Sequence, residues 1–230
     1  MLKIDNFSNK ILKDISLSIE DKNLIILGDN GAGKTTLAKL LCGLIKSKNV
    51  FFNKENINTI SYDKRVELFN YIPPKLEIFD DYINVFEYLK LGKDLENSKI
   101  DTILEKLGIK GLKYSPCKFL SSGESQLLLI ASGILHNARF SIFDEPTSNL
   151  DPKKIQTIFH ILSSNKILQN KIIITHNLNL AYKLGFDIVF IKDGTIQFLG
   201  ENKEFFTDKN LKNFYQTSVK KIDNNIVVNV

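Results

Sequence analysis

The chain has 230 residues and no tryptophan, one methionine, two cysteines, three histidines and five prolines. Cys42 and Cys117 are too few for a disulfide framework or a four-ligand zinc site, and a reducing compartment fits them best. With so few histidines, a metal centre built on imidazole has little to work with. The count of 12 glycines and five prolines excludes a collagen-like or proline-rich chain. The apolar runs, such as Leu24 to Leu27 and Ile188 to Ile191, fall far short of the ~20 residues that a membrane span needs. No long apolar region follows Met1-Leu2-Lys3-Ile4-Asp5, so a secretory signal is not expected. Basic patches with interleaved aromatics are not evident, so no nucleic-acid partner is expected. The net charge of +5 reads as a solvated, lysine-rich exterior.

What remains is ordinary globular composition, 43% hydrophobic and 25% charged, in a chain long enough to bury a sizeable core. Ile15-Ser16-Leu17-Ser18-Ile19 alternates with period two, and Leu24-Ile25-Ile26-Leu27 is a continuous run of the kind found in buried parallel strands. A helix is predicted from Thr36 to Ile45, with Leu37, Leu40, Leu41 and Leu44 on one face. Residues 50–72 read as short strands and turns. From about 76 to 135, Val85-Phe86 with Leu89, Ile103-Leu104 with Leu107, and Leu127 to Ile134 follow helical spacing and suggest a helical insertion. A strand over Phe140 to Phe143, a helix over Lys153 to Leu162, a strand over Ile172 to Ile174 and a helix over Leu178 to Leu184 come next. Asp187 to Ile191 and Thr195 to Leu199, joined at Asp193-Gly194, read as a hairpin. Alternating strands and helices predict an α/β fold with a mostly parallel sheet. The tail from about 202 carries no clear pattern.

Gly28-Asp29-Asn30-Gly31-Ala32-Gly33-Lys34-Thr35-Thr36 has the spacing of a phosphate-binding P-loop, and it lies between an apolar strand and a helix, as that loop requires. The glycines let successive N–H groups turn toward phosphate oxygens, and the helix N-terminus adds partial positive charge. Lys34 is placed to reach the β- and γ-phosphates of a nucleoside triphosphate, and the Thr35 hydroxyl to ligate Mg²⁺. The apolar strand Phe140 to Phe143 ends in Asp144-Glu145. Beside a P-loop, Asp144 is the expected holder of Mg²⁺ and Glu145 the expected general base for the attacking water. Leu120-Ser121-Ser122-Gly123-Glu124, opening a helix, reads either as a second anion-binding N-terminus or as a plain helix cap.

In this order the motifs resemble the ATP-binding subunit of ABC transporters, over residues from about 1 to 205. Leu120 to Glu124 resembles the family's signature, with Ser122 where glycine is usual. Ser148-Asn149-Leu150-Asp151 resembles the D-loop, and His176 the switch histidine that contacts the γ-phosphate. The resemblance implies a P-loop NTPase core with an antiparallel β subdomain (residues 1–75 and 136–230) and an inserted helical subdomain (about 76–135) that carries the signature. It implies two copies meeting head to tail, each ATP held between one copy's P-loop and the other's Ser121, Ser122, Gly123 and Glu124, with Asp151 beside the nucleotide. Glu145 and His176 are then catalytic. Integral membrane permease subunits are the implied partners, with a solute-binding protein in the same system, which places the chain on the cytoplasmic face of a membrane. Tyr71-Ile72-Pro73, then Asn84-Val85-Phe86-Glu87-Tyr88-Leu89-Lys90-Leu91-Gly92, together with His176-Asn177-Leu178-Asn179-Leu180-Ala181 and Ser122-Gly123-Glu124, resemble the importers of metal chelates such as iron siderophores, haem or cobalamin.

Two departures stand out. Pro74 occupies the place of a family glutamine that contacts Mg²⁺ or water. Phe7 is the nearest candidate for the aromatic that stacks on adenine, and a core role fits it as well. A non-transport ATPase of the same fold, and a module that holds ATP without turnover, remain alternatives.

Overall fold

The computed structural model describes residues 1–91, 95–148 and 150–228. The described chain forms two compact units, Met1–Arg65 with Asn170–Val230, and Val66–Gln169.

In the first unit, β1 (Leu2–Phe7) pairs antiparallel with β2 (Ile15–Ile19), Ile4 opposite Leu17. Ile15, Leu17 and Ile19 are buried while Ser16 and Ser18 face water, as the period of two requires. β3 (Leu24–Gly28) is buried at every residue, the mark of a strand covered on both faces. It leads through the glycine loop into α1 (Lys34–Leu41). β4 (Val50–Phe52) pairs with β1, and β5 (Glu55–Asn56) with β4, closing an antiparallel sheet ordered β2-β1-β4-β5. Phe7 is only 8% exposed, so it packs as core.

Two expectations are corrected here. The first helix stops at Leu41 and does not run on to Ile45. Gly43 adopts φ +75°, and the Leu44 and Ile45 N–H groups turn back to the Lys39 carbonyl at 2.9 and 3.1 Å. This left-handed exit satisfies the last carbonyls but points Leu44 outward, 62% exposed. Within residues 50–72 there is also a helix, α2 (Tyr62–Leu68), where the chain passes to the second unit. Only Leu68 of it is buried, so it has no apolar stripe for periodicity to reveal.

In the second unit, β6 (Phe69–Ile72) is followed by α3 (Val85–Lys90), α4 (Asn97–Lys106) and α5 (Ser122–His136), then β7 (Phe140–Asp144) and α6 (Pro152–Ser163). β6 and β7 pair in parallel, Tyr71 opposite Ile142 and Ile72 opposite Phe143. α5 buries six consecutive residues, Gln126 to Ala131, five of them apolar. It lies so close to the strands that a Cβ on Gly133 would sit 3.0 Å from Ile72 Cγ1 and 3.1 Å from Phe143 Cε1.

The chain then re-enters the first unit as β8 (Asn170–Ile174), α7 (Leu178–Leu184), β9 (Asp187–Lys192) and β10 (Thr195–Gly200). β3 is flanked by β8 and β9, both parallel to it, and β10 folds back antiparallel on β9. The tail is structured: α8 (Asn202–Phe205), α9 (Asp208–Tyr215) and a hairpin of β11 (Val219–Ile222) and β12 (Asn225–Val228). Phe205 anchors it, with ring centroids 5.6 Å from Phe190, 5.2 Å from Phe198 and 5.4 Å from Phe214. The hairpin is held on α7 by the Ile226 N–H, which donates to Asn179 Oδ1 at 3.2 Å. The α/β architecture with parallel strands and a separate antiparallel sheet is thus the one expected. Among the described residues no helix is long and apolar enough to cross a membrane.

Candidate functional site

In the first unit the glycine loop leaves the end of β3 and enters α1. Gly28, Gly31 and Gly33 have φ of +154°, +82° and +104°. Asn30, Gly31 and Thr35 are exposed, Thr36 is half-buried, and Ala32, Gly33 and Lys34 are buried. The Ala32 N–H closes the turn on the Asp29 carbonyl at 3.2 Å. Gly33 precedes α1 and, as a glycine, makes no side-chain cap, whereas α3, α5, α6, α7 and α9 are capped by Asn84, Ser121, Asp151, Asn177 and Thr207. The dipole at the start of α1 favours an anion there. Lys34 is 7% exposed, and its ammonium donates to the Gly28 and Asp29 carbonyls at 2.8 and 2.9 Å. His176 follows β8, which is parallel to β3 with Ile174 opposite Ile26, so His176 and the loop emerge at the same edge. Behind it the Asn177 N–H donates to Thr175 Oγ1 at 3.0 Å, and Asn177 Oδ1 caps α7.

In the second unit Asp144 ends β7, 2% exposed, and accepts a hydrogen bond from the Tyr71 hydroxyl at 2.8 Å. Glu145 follows with φ +49°, a left-handed conformation that costs a non-glycine residue about 1–3 kcal/mol. The Ser148 hydroxyl and N–H both donate to the Glu145 carbonyl, at 2.6 and 3.1 Å, and fix that turn. Strain held in place by neighbours is a recurrent feature of functional sites. Asn149 of the D-loop and Gly92 lie outside the described residues.

Leu120 is half-buried and Ser121 and Ser122 are exposed at the start of α5. Ser121 and Glu124 form a reciprocal cap: the Ser121 hydroxyl and N–H donate to Glu124 Oε2 at 2.7 and 2.8 Å, and the Glu124 N–H donates to Ser121 Oγ at 3.3 Å. These bonds from Ser121 hold the Glu124 carboxyl below its usual range. Gly123 is buried, and a Cβ there would meet Lys154 Nζ at 3.0 Å. Asp151 caps α6 by accepting from the Lys154 N–H, and pairs with the Lys154 ammonium at 3.2 Å. The Lys154 N–H is the main reason the Asp151 carboxyl is also lowered. Pro74 is exposed and lines a cavity of about 450 Å³ with Lys75, Cys117, Ser125, Gln126 and Ser148.

The sequence reading assigned no role to Tyr71 or Lys154. The signal for Tyr71 was available: once Tyr71-Ile72 and Ile142-Phe143 pair in parallel, Tyr71 and Asp144 fall diagonally on one sheet face. Lys154 carried no comparable sign, because its place beside Gly123 depends on how α6 packs.

The profile that describes ABC transporters matches residues 12–148. An energy-coupling factor transporter ATP-binding protein of Thermotoga maritima is 33% identical over 206 residues, 85% of this chain and 78% of that protein. A phosphonates import ATP-binding protein of Fusobacterium nucleatum is 32% identical over 94% of this chain and 96% of its own length. Among solved structures, CbiO1 of Clostridium perfringens, part of the CbiONQ transporter complex, is similar in fold, with a TM-score of 0.74, 24% identity and 92% of each chain covered.

Proposed function

The chain belongs to the ABC transporter family, and from that membership we propose that it is the ATP-binding, ATP-hydrolysing subunit of a membrane transporter. The observation that carries this is the loop of positive-φ glycines between β3 and α1, with the buried Lys34 ammonium inside it. Asn30, Ala32, Gly33 and Thr36 shape that cradle, and Lys34 meets the terminal phosphates. Thr35 and Asp144 are hard oxygen donors, the kind Mg²⁺ takes together with phosphate and water. Among the described residues no cluster of three His, Cys, Asp or Glu could hold a metal without such help, which suits an ion that arrives with the nucleotide. Thr35 and Asp144 would hold the ion, which would supply positive charge against the phosphates. Glu145 takes the proton of the attacking water, and His176 contacts the γ-phosphate.

A second copy supplies Ser121, Ser122, Gly123 and Glu124 to the nucleotide, with Asp151 beside it, so a lone chain binds ATP and turns it over poorly. Closing and reopening of the pair then moves permease subunits, on whose cytoplasmic side the chain sits. Import, with a solute-binding protein in the system and a metal chelate as cargo, is the finer part of the proposal. It rests on Tyr71 to Pro73, the stretch from Asn84 to Gly92, Ser122 to Glu124, and His176 to Ala181. The similar proteins carry other labels, phosphonates among them, and no residue here touches cargo. A second reading, an ATP-holding module without turnover, is favoured by Pro74 alone.

Purified chain and Glu145→Gln separate these. Turnover in the wild type, lost at least ~100-fold in the variant with ATP binding kept, supports the proposal. The variant then gains the mass of a dimer when ATP is added. Equal turnover in both removes Glu145 as base, and binding without turnover in a wild type that ATP has brought to the mass of a dimer leaves the holding module. Co-purification of a multi-span membrane protein and a solute-binding protein tests the import part.

A further inference from the structure

Asp144 is almost fully buried, and Tyr71 comes to it from the neighbouring strand. β6 and β7 run parallel with Tyr71 opposite Ile142. Two positions on, Asp144 lies on the same face, and the phenol spans that diagonal to donate to Oδ2 at 2.8 Å. Three residues beyond Tyr71, where the strand exits, Pro74 has no side-chain oxygen or donor to offer. We propose that Tyr71 is a positioning residue for metal binding: its hydroxyl holds one oxygen of the Asp144 carboxylate, fixes the plane of the group, and so sets the affinity for the Mg²⁺ that accompanies ATP. The proposal rests on the ATP reading above and extends it to a residue that reading does not use.

The physical case has three parts. A buried carboxylate must be hydrogen-bonded to stay charged, and a hydroxyl donor meets that need without adding charge. A carboxylate has about four lone-pair positions, so accepting the Tyr71 bond on Oδ2 is compatible with ligating a metal. Groups that orient a metal's ligand from behind change affinity by roughly 10–100-fold when removed, while leaving the ligand itself in place.

The test uses the full chain and Tyr71→Phe, which keeps the ring and loses the oxygen. ATP binding is measured by calorimetry in chelator and across a Mg²⁺ titration, and bound Mn²⁺ is followed by its paramagnetic signal with ATP present. The expected result is an unchanged ATP affinity in chelator, about tenfold or more Mg²⁺ needed for the half-maximal effect, and weaker Mn²⁺ retention. Tyr71→Met, which fills the space with a flexible apolar chain, is read alongside. It must show the same shift, and it stands in if the phenylalanine variant loses its melting transition. The same Mg²⁺ requirement in wild type and variants overturns the proposal. Weakened ATP binding in chelator also overturns it, because that marks a damaged fold. No ATP binding by the wild type overturns the functional reading and this proposal with it.

Discussion

Replacing Gly28 by alanine asks how tightly β3 and β9 are packed at the mouth of the phosphate loop. An added Cβ would stand 2.2 Å from the Ile191 carbonyl oxygen, 3.2 Å from its carbon and 3.4 Å from Ala32 Cβ. Ordinary contacts begin near ~3.5 Å, so something must move by roughly 1 Å. The obstacle is backbone, held by the parallel ladder in which Gly28 lies opposite Ile191, and no rotamer change relieves it. Overpacking costs about 1–3 kcal/mol, and a rigid obstacle puts this site at the upper end. At about 2–4 °C per kcal/mol for a domain of this size, Gly28→Ala lowers Tm by about 6–12 °C. Gly31→Ala is the control. It too has a positive φ, +82°, but nothing lies within 4 Å of its Cβ. It carries only the left-handed strain of about 1–2 kcal/mol, hence about 2–8 °C. Thermal melts followed by circular dichroism, without nucleotide, decide the matter. If Gly31→Ala melts at or below Gly28→Ala, the packing argument is wrong, and strain alone governs the loop.

Two further predictions concern the signature helix and the tail. The Glu124 carboxyl is lowered by the Ser121 hydroxyl and N–H, so its cap adds stability above the ordinary carboxylate pKa of about 4 and loses it as pH falls through the folded value. Glu124→Gln, which can still close the cap on the Ser121 N–H, should show its largest gap from the wild type above the ordinary carboxylate range, the gap narrowing as pH falls below it in denaturant titrations; an equal gap at every pH refutes the assignment. Ile226 is 7% exposed in the terminal hairpin, and Ile226→Asp should release that hairpin from α7. Limited trypsin digestion should then cut at Lys220 and Lys221 while the main melting transition stays; an unchanged digestion pattern counts against the docking.

Where a segment announced its own burial, the sequence could be read directly. Leu24 to Leu27 with no polar interruption could only be a strand covered on both faces, and Ile15 to Ile19 only a half-buried one. The loop from Gly28 to Thr36 was legible because its glycines and lysine stand at fixed spacing, whatever surrounds them. Other features depended on neighbours. Leu44 fits the apolar face of α1 in sequence, yet Gly43 ends the helix first and leaves it in water. α2 has almost no buried face to show. The tail has no visible pattern because Phe205, Phe214 and Tyr215 follow no period, and their partners Phe190 and Phe198 lie in an earlier hairpin. At the site, the residue types could be named, but not that Ser121 is already bonded to Glu124, or that Tyr71 reaches Asp144.

The Lys34 ammonium has its own consequence. It rests on two carbonyls of its own loop, at 2.8 and 2.9 Å, and an ammonium has three donors. The loop thus aims its own cation before any anion arrives, and a side chain already held in place has less freedom to lose on binding.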